Sequence, residues 1–403
     1  MTGGVTGLLE AIGSIGRDAG SGGFRRFAWT RDDHDLGEWF AAECTARGLD
    51  LTEDRAGNQW AWWGDPDAAP GRAVVTGSHL DSVPDGGAFD GPLGVISALL
   101  AVDRLRADGF TPARPIGVVR FVDEEGARFG VACAGSRLIT GELTADRALG
   151  LTDADGISLG EALRTAGRPV EVGPDPEALR RIGTFVELHV EQGRAMIELG
   201  APVAVGSDIW PHGRWRIDFA GVADHAGTTA LTDRSDAMIG FARLVLAARD
   251  AAERNGCLTT VGKSRIVPGG VNAIPSAATA WLDARGATEA SVRAALADLT
   301  AAAAADHGVV TEESWTPVTR FDPELITRLA TLLGGDDQPA PVLGTGAGHD
   351  AGILARAGIP SVMIFVRNPT GVSHSPAEWA EPDDCDAGVT ALAATLADLA
   401  GRP

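Results

Sequence analysis

Cysteine is scarce in this chain. Only Cys44, Cys133, Cys257 and Cys385 occur among 403 residues, and no two have C-x-x-C spacing. A chain of this length can bury two domain cores without cross-links, so the four thiols read as reduced and structural. Positive charge is short as well. Thirty-four Lys and Arg face 55 Asp and Glu, for a formal charge of −21. That balance repels phosphate backbones and acidic lipid surfaces, which excludes nucleic acid and membrane as expected partners. No apolar run approaches the roughly 20 residues that cross a bilayer. The opening residues, "MTGGVTGLLEAIGSIGRDAG", lack a basic leader followed by an apolar run and a cleavage site, so a cytoplasmic protein is expected. Internal repeats are also missing. A hydrophobic content of 44% with 22% charged residues is that of a globular chain.

What is present is an alternation of strands and helices. "RAVVTGSHL" and "PIGVVRFVDEE" are β-rich runs ending in polar residues, and "GVISALLAVDRLRADGF" between them has apolar residues at helical spacing up to Gly109. "TFVELHVEQG" alternates, placing Val186, Leu188 and Val190 on one face and His189 on the other. The pattern predicts a mostly parallel sheet covered by helices. From about Arg214 to Pro317 the rhythm changes. A strand "RWRIDFAG", a long helix ending at Gly256, strands "LTTVGKSRIV" and "ATAWLDARG", a second helix and a strand "VVTEESW" follow in turn. That β-α-β-β-α-β order is the split βαβ, ferredoxin-like unit. Afterwards "DPELITRLATLLGG" reads as helix and "GIPSVMIFV" as a buried strand. The expected division is therefore a first domain built from residues 1–210 and 319–403, interrupted by an insert at 211–318.

In an open α/β sheet, ligands bind beyond the carboxyl ends of the strands. Four predicted strands end there in metal-type residues. "AVVTGSHLD" delivers His79 and Asp81, "GVVRFVDEEG" delivers Glu124 and Glu125, "FVELHVEQG" delivers His189, and "SVMIFV" leads into the loop with His374. Asp90 lies on the glycine-rich loop "GSHLDSVPDGGAFDG". Singly, each reads as a turn or packing residue; their joint placement points to a site. Imidazole and carboxylate ligands suit divalent ions such as Zn²⁺ or Mn²⁺, with Co²⁺ and Ni²⁺ also accepted. Two such ions need a bridging carboxylate. His79, His189 and Asp90 form one expected ligand group, and Glu125, His374 and the same Asp90 the other. Asp81, two residues beyond His79, is placed to accept the second imidazole proton. Glu124, beside a ligand, is the candidate general base.

The segments "GSHLDSVPDGGAFDG", "DEEGARFG", "ELHVEQG", "ADHAGTT", "PGGVNAIP" and "SHSPAEW" resemble, in order and along nearly the whole chain, those of the hydantoinase/carbamoylase-type amidases. That branch of the dinuclear metallopeptidase superfamily includes N-carbamoyl-L-amino-acid hydrolases, β-ureidopropionases and allantoate amidohydrolases. The resemblance implies an α/β fold: a mostly parallel-sheet, metallopeptidase-like catalytic domain with an inserted ferredoxin-like α+β lid, through which two subunits pair. It also implies substrate-side roles. His225 would reach into the partner subunit's site and steady the oxyanion, and Asn272 and Arg285 would grip the substrate's carboxylate. Gln192 would hydrogen-bond the substrate from the catalytic domain, and His349 would lie near the site. Two positions depart from the pattern, Ala230 and Arg367, each where relatives carry proline. Arg367 raises the expectation of a second anionic group on the substrate; the alternative is a pairing with a local acid such as Glu378 or Glu381.

The expected activity is hydrolysis of a linear amide in a small carboxylate substrate, an N-carbamoyl-L-amino acid or allantoate, by a homodimer with two divalent ions per subunit. An N-formyl or N-acyl deacylase, or a dipeptidase, is the alternative on the same scaffold. A non-catalytic metal-dependent binding protein is the remaining one, and the presence of Glu124 with every ligand speaks against it.

Overall fold

The computed structural model describes residues 3–68, 73–335 and 338–401. The chain divides into two compact units, Met1–Asp208 with Arg320–Pro403, and Ile209–Thr319. The strands in chain order are β1 (Asp50–Glu53), β2 (Gln59–Trp63), β3 (Ala73–His79), β4 (Ile116–Phe121), β5 (Ile182–Val190) and β6 (Val203–Ile209). Then come β7 (His212–Ala220), β8 (Leu258–Val267), β9 (Ala277–Arg285), β10 (Val309–Thr316), β11 (Thr319–Arg320), β12 (Val342–Thr345) and β13 (Ser361–Val366).

The larger unit is built on a sheet in the order β1-β2-β4-β3-β5-β13-β6-β11, with β12 also paired to β6. Its centre is parallel: β3 pairs with β4 and β5, and β5 with β13. The edges turn antiparallel through β1, β2 and β6. Every residue of β3, β4 and β13 is buried, as strands covered by helices on both faces require. The alternation expected for β5 holds: Val186, Leu188 and Val190 join the main core on one face, and His189, equally buried, lies on the other. Helix Pro92–Ala107 begins with proline at its first turn and ends with Arg104 and Arg106 at its negative pole. It packs against the C-terminal helix Pro382–Ala400, and Leu93, Ile96, Leu99, Leu392 and Leu396 join the main core. The glycine before it has a physical reason. Gly91 is left-handed (φ +85°), and any Cβ there would collide with the His79 ring.

The smaller unit is a four-stranded antiparallel sheet in the order β10-β7-β9-β8. Helices Ala237–Asn255 and Glu289–Ala305 pack on it around Trp215, Ile217, Phe219, Leu244, Leu282, Val292 and Leu299. Numbered within the unit, the strand order is 4-1-3-2, the split βαβ arrangement that the rhythm of the sequence predicts. Gly256 closes the first helix in left-handed conformation.

Candidate metal centre

The parallel strands β3, β4, β5 and β13 all release their chains at one edge of the sheet, and that edge gathers the metal-type side chains. His79 is the last residue of β3, His189 is the penultimate residue of β5, and Glu124 and Glu125 follow β4. Asp90 stands at their centre. Its Oδ1 lies 3.6 Å from His79 Nε2 and 3.3 Å from His189 Nε2, while its Oδ2 lies 3.4 Å from His374 Nε2. His374 Nε2 is also 3.8 Å from Glu125 Oε2. Two ligand groups therefore share one carboxylate. Within each of the sets His79–Asp90–His189 and Asp90–Glu125–His374, the ligand atoms lie within 4.8 Å of one another.

The donor set suits divalent cations. His189 Nε2 is buried with no hydrogen-bond partner among the described residues, while its Nδ1 faces the Val190 carbonyl at 2.9 Å, which leaves Nε2 as the nitrogen able to ligate. Asp81, Asp90 and Glu124 are all buried. Burial, reinforced by Asp90, pushes the Glu125 carboxyl up to about 8. Burial likewise raises Glu124 far above the ordinary carboxylate range, with His79 opposing the rise and Glu125 adding to it. So many carboxylates in so little solvent call for positive charge, which divalent ions would supply.

Asp81 differs from its expected role. His79 Nδ1 faces the Asp81 backbone carbonyl at 3.1 Å and the carboxylate only at 3.5 Å. The Asp81 carboxylate instead accepts the amides of Glu124 and Glu125 at 3.2 and 3.0 Å. It aims the acidic pair, and the main chain sets the histidine tautomer.

Several participants were assigned no role from the sequence, although Ser373 and Glu378 lie in "SHSPAEW" and Glu187 in "ELHVEQG". Glu378 is buried, and its Oε2 accepts the amides of Phe89 and Asp90 at 2.9 and 3.0 Å. Ser373 donates to Asp90 Oδ2 at 3.2 Å, so the His374 loop and the Asp90 loop are tied together. That loop is itself held by buried Asn368, which accepts from the amides of Thr370 and Gly371, and His374 sits in left-handed backbone at φ 55°. Between the strands, Glu187 of β5 accepts from Ser78 Oγ of β3 and from Ala351 N, both at 2.9 Å. Only their meeting in space identifies these groups.

Of the substrate-side residues, Gln192 joins the centre. Its Nε2 donates to Asp90 Oδ2 at 2.9 Å and to Ser373 Oγ at 3.1 Å, and its Oε1 is buried without a partner among the described residues. His349 is buried against His189, with ring centroids 4.5 Å apart and neither ring nitrogen hydrogen-bonded among the described residues. Burial, aided by His189, lowers its pKa far below that of a free imidazole, so the ring is neutral. Arg367 is a correction. Its Nε and Nη2 meet the two Asp384 oxygens at 2.8 and 2.9 Å, so the fork assigned to a second substrate anion is closed on an acid in the first turn of the last helix. The acid is neither of the two that the sequence suggested. In the smaller unit, His225 and Asn272 lie on paired loops: Ala226 N donates to Asn272 O at 2.9 Å, and His225 bridges to Ala273. Arg285 faces Asp283, with Nε to Oδ1 at 2.6 Å and Nη2 to Oδ2 at 3.0 Å.

An α/β sheet whose strand ends offer buried histidines, a shared carboxylate and an acidic pair defines a metal-dependent hydrolase centre. The family model for peptidase family M20/M25/M40 matches residues 75–398. The chain is 38% identical over 410 residues to an N-carbamoyl-L-amino acid amidohydrolase of Geobacillus stearothermophilus, covering 97% of each. It is 32% identical over 405 residues to an allantoate amidohydrolase of Escherichia coli, covering 97% of this chain and 96% of that one. A crystal structure of a hydantoinase/carbamoylase family amidase from Burkholderia vietnamiensis superposes with TM-score 0.87 at 28% identity, over 99% of this chain and 97% of the other. The chain belongs to peptidase family M20/M25/M40, and it is a hydrolase of carbon–nitrogen bonds other than peptide bonds.

Proposed function

We propose that this protein hydrolyses the carbamoyl group of a small carboxylate, an N-carbamoyl-L-amino acid or allantoate, at a centre of two divalent ions. The observation that carries the reading is Asp90, whose two oxygens serve two separate histidine-bearing groups beside Glu124. His79, His189 and Asp90 would hold one ion, and Glu125, His374 and Asp90 the other, with Zn²⁺, Mn²⁺, Co²⁺ and Ni²⁺ all compatible with these ligands. Such ions, when bound, polarise the scissile carbonyl and lower the pKa of a water. Glu124 takes the proton of the attacking water and returns it to the departing nitrogen, a use suited to a carboxyl group whose pKa burial has raised. Gln192 Oε1, without a hydrogen-bond partner among the described residues, accepts from the carbamoyl amide. Neutral His349 lines the inner wall. Hydrolysis gives ammonia, carbon dioxide and the free amine. Arg285 would exchange Asp283 for the substrate carboxylate, with Asn272 beside it.

The test compares ammonia release from N-carbamoyl amino acids and allantoate with release of free amino acid from N-acyl amino acids and dipeptides, each with added Mn²⁺ or Zn²⁺. Carbamoyl substrates should dominate; turnover confined to N-acyl substrates would make the protein a deacylase. Because Asp384 occupies Arg367, Arg367→Ala should leave the ratio of kcat/KM for acidic and apolar N-carbamoyl amino acids unchanged. A fall in that ratio would return Arg367 to the substrate.

We further propose a cytoplasmic homodimer joined through the 211–318 insert. Support comes from β8, the outer strand of its sheet with one edge unpaired among the described residues, and from exposed Ile239, Leu246 and Leu258 on the same unit. His225 would act in the partner's site. Mixing inactive Glu124→Gln and His225→Ala chains should then restore part of the activity, since a heterodimer carries one intact composite site. No recovery after verified subunit exchange would confine His225 to its own chain.

A further inference from the structure

One buried group in contact with Glu124 has no part in the chemistry above. Cys133 is the N-cap of helix Ala134–Thr140 and sits in left-handed backbone at φ 54°, a conformation that costs a non-glycine residue energy. The start of this helix is sewn onto the exit of β4. Cys133 N donates to Glu124 O, Ala134 N to Asp123 O at 2.9 Å, and Gly135 N to Val122 O at 3.0 Å. That register carries the thiol onto the Glu124 side chain. Cys133 Sγ lies 3.2 Å from Glu124 Oε1, and the two residues are only 2% and 5% exposed. The other carboxylate oxygen, Oε2, faces His79 Nε2 at 3.8 Å. The two oxygens of Glu124 thus have different neighbours, one a thiol and one the ligand cluster.

We propose that Cys133 is a positioning residue for Glu124: its S–H donates to Oε1, fixes the carboxylate rotamer, and leaves Oε2 on the ligand side to exchange the proton. This rests on the reading of Glu124 as general base. The thiol can serve only as a donor. Burial, with Glu124 and Asp350 adding to it, keeps its pKa far above that of a free cysteine, so it stays protonated and inert as a nucleophile. The terminal torsion of a glutamate is soft, and a fixed donor on one oxygen removes that freedom where a proton must pass. A thiol is a weak donor, so its contribution is smaller than that of a hydroxyl or an amide.

Three variants and one spectrum test it. Cys133→Ala should lower kcat roughly three- to tenfold with KM changed less than about twofold, because only orientation during proton transfer is lost. Cys133→Ser restores a donor and should bring kcat back to within about twofold of wild type. If Ser is no better than Ala, the effect is packing and the proposal is overturned. The second readout needs neither metal nor turnover. In metal-free protein the infrared S–H stretching band of Cys133, assigned by its loss in Cys133→Ala, should move in Glu124→Gln; an unmoved band removes the contact. An active Glu124→Gln enzyme would overturn the base assignment and this proposal with it. An inactive Glu124→Gln beside a Cys133→Ala at wild-type kcat would overturn the role of Cys133 alone.

Discussion

Glu124→Gln is expected to keep its metal ions, fold and substrate affinity, and to lose at least roughly 10²–10⁴-fold in kcat. The substitution keeps side-chain volume and the oxygen that meets Cys133, and it removes the only group at this position able to take and return a proton. Little stability should be lost. Among the described residues Glu124 makes no ion pair beyond the long 3.8 Å approach to His79, and burial already penalises its charged form. Metal content should hold because the ligand atoms of both groups belong to other residues. The measurement is steady-state kinetics on protein whose metal content has been determined by elemental analysis. Near-normal turnover in a fully loaded variant would mean that another group handles the proton. His349 is the nearest alternative in burial and neutrality.

His79, Glu125 and His189 were legible because they stand at or just beyond strand ends, readable from a run such as "AVVTGSH" giving way to polar residues, and His374 because the loop after a buried strand carries it. Asp90 was legible for a different reason: the glycines around it rule out regular structure, so its acid needed another explanation. The groups that hold these ligands were not readable. Glu378 reaches Asp90 across 288 positions of sequence, and Asp81 spends its carboxylate on backbone amides that no side-chain pattern announces. Arg367 shows the same limit from the other side. A cation after a buried strand is visible in the sequence, but its partner is set by where helix Pro382–Ala400 begins. The hairpin of β1 and β2 was missed as well. β1 is exposed at all its positions and has no apolar alternation to read, and it is a strand because β2, itself paired to β4, gives it a ladder to join.

Asp90→Ala should empty the centre of metal altogether, because both ligand groups lose their common member at once. In wild type, Oδ1 serves His79 and His189 while Oδ2 serves His374, and among the described residues Asp90 is the one carboxylate common to both groups. The fold should survive. Glu378 holds this loop through the amides of residues 89 and 90, and a backbone amide is untouched by the substitution. Gln192 and Ser373 each lose an acceptor at Oδ2 but keep one another. The expected result is therefore a folded, inactive protein in which metal no longer raises the melting temperature, since only ions that bind the native state stabilise it. Asp90→Asn, which retains one oxygen and the shape of the side chain, should keep a single ion more readily than two. Elemental analysis after gel filtration, read beside the melting curve with and without added Zn²⁺ or Mn²⁺, separates these outcomes. Two ions retained per subunit in Asp90→Ala would place the bridge on another carboxylate, and Glu125, already within 3.8 Å of His374, would be the first to examine.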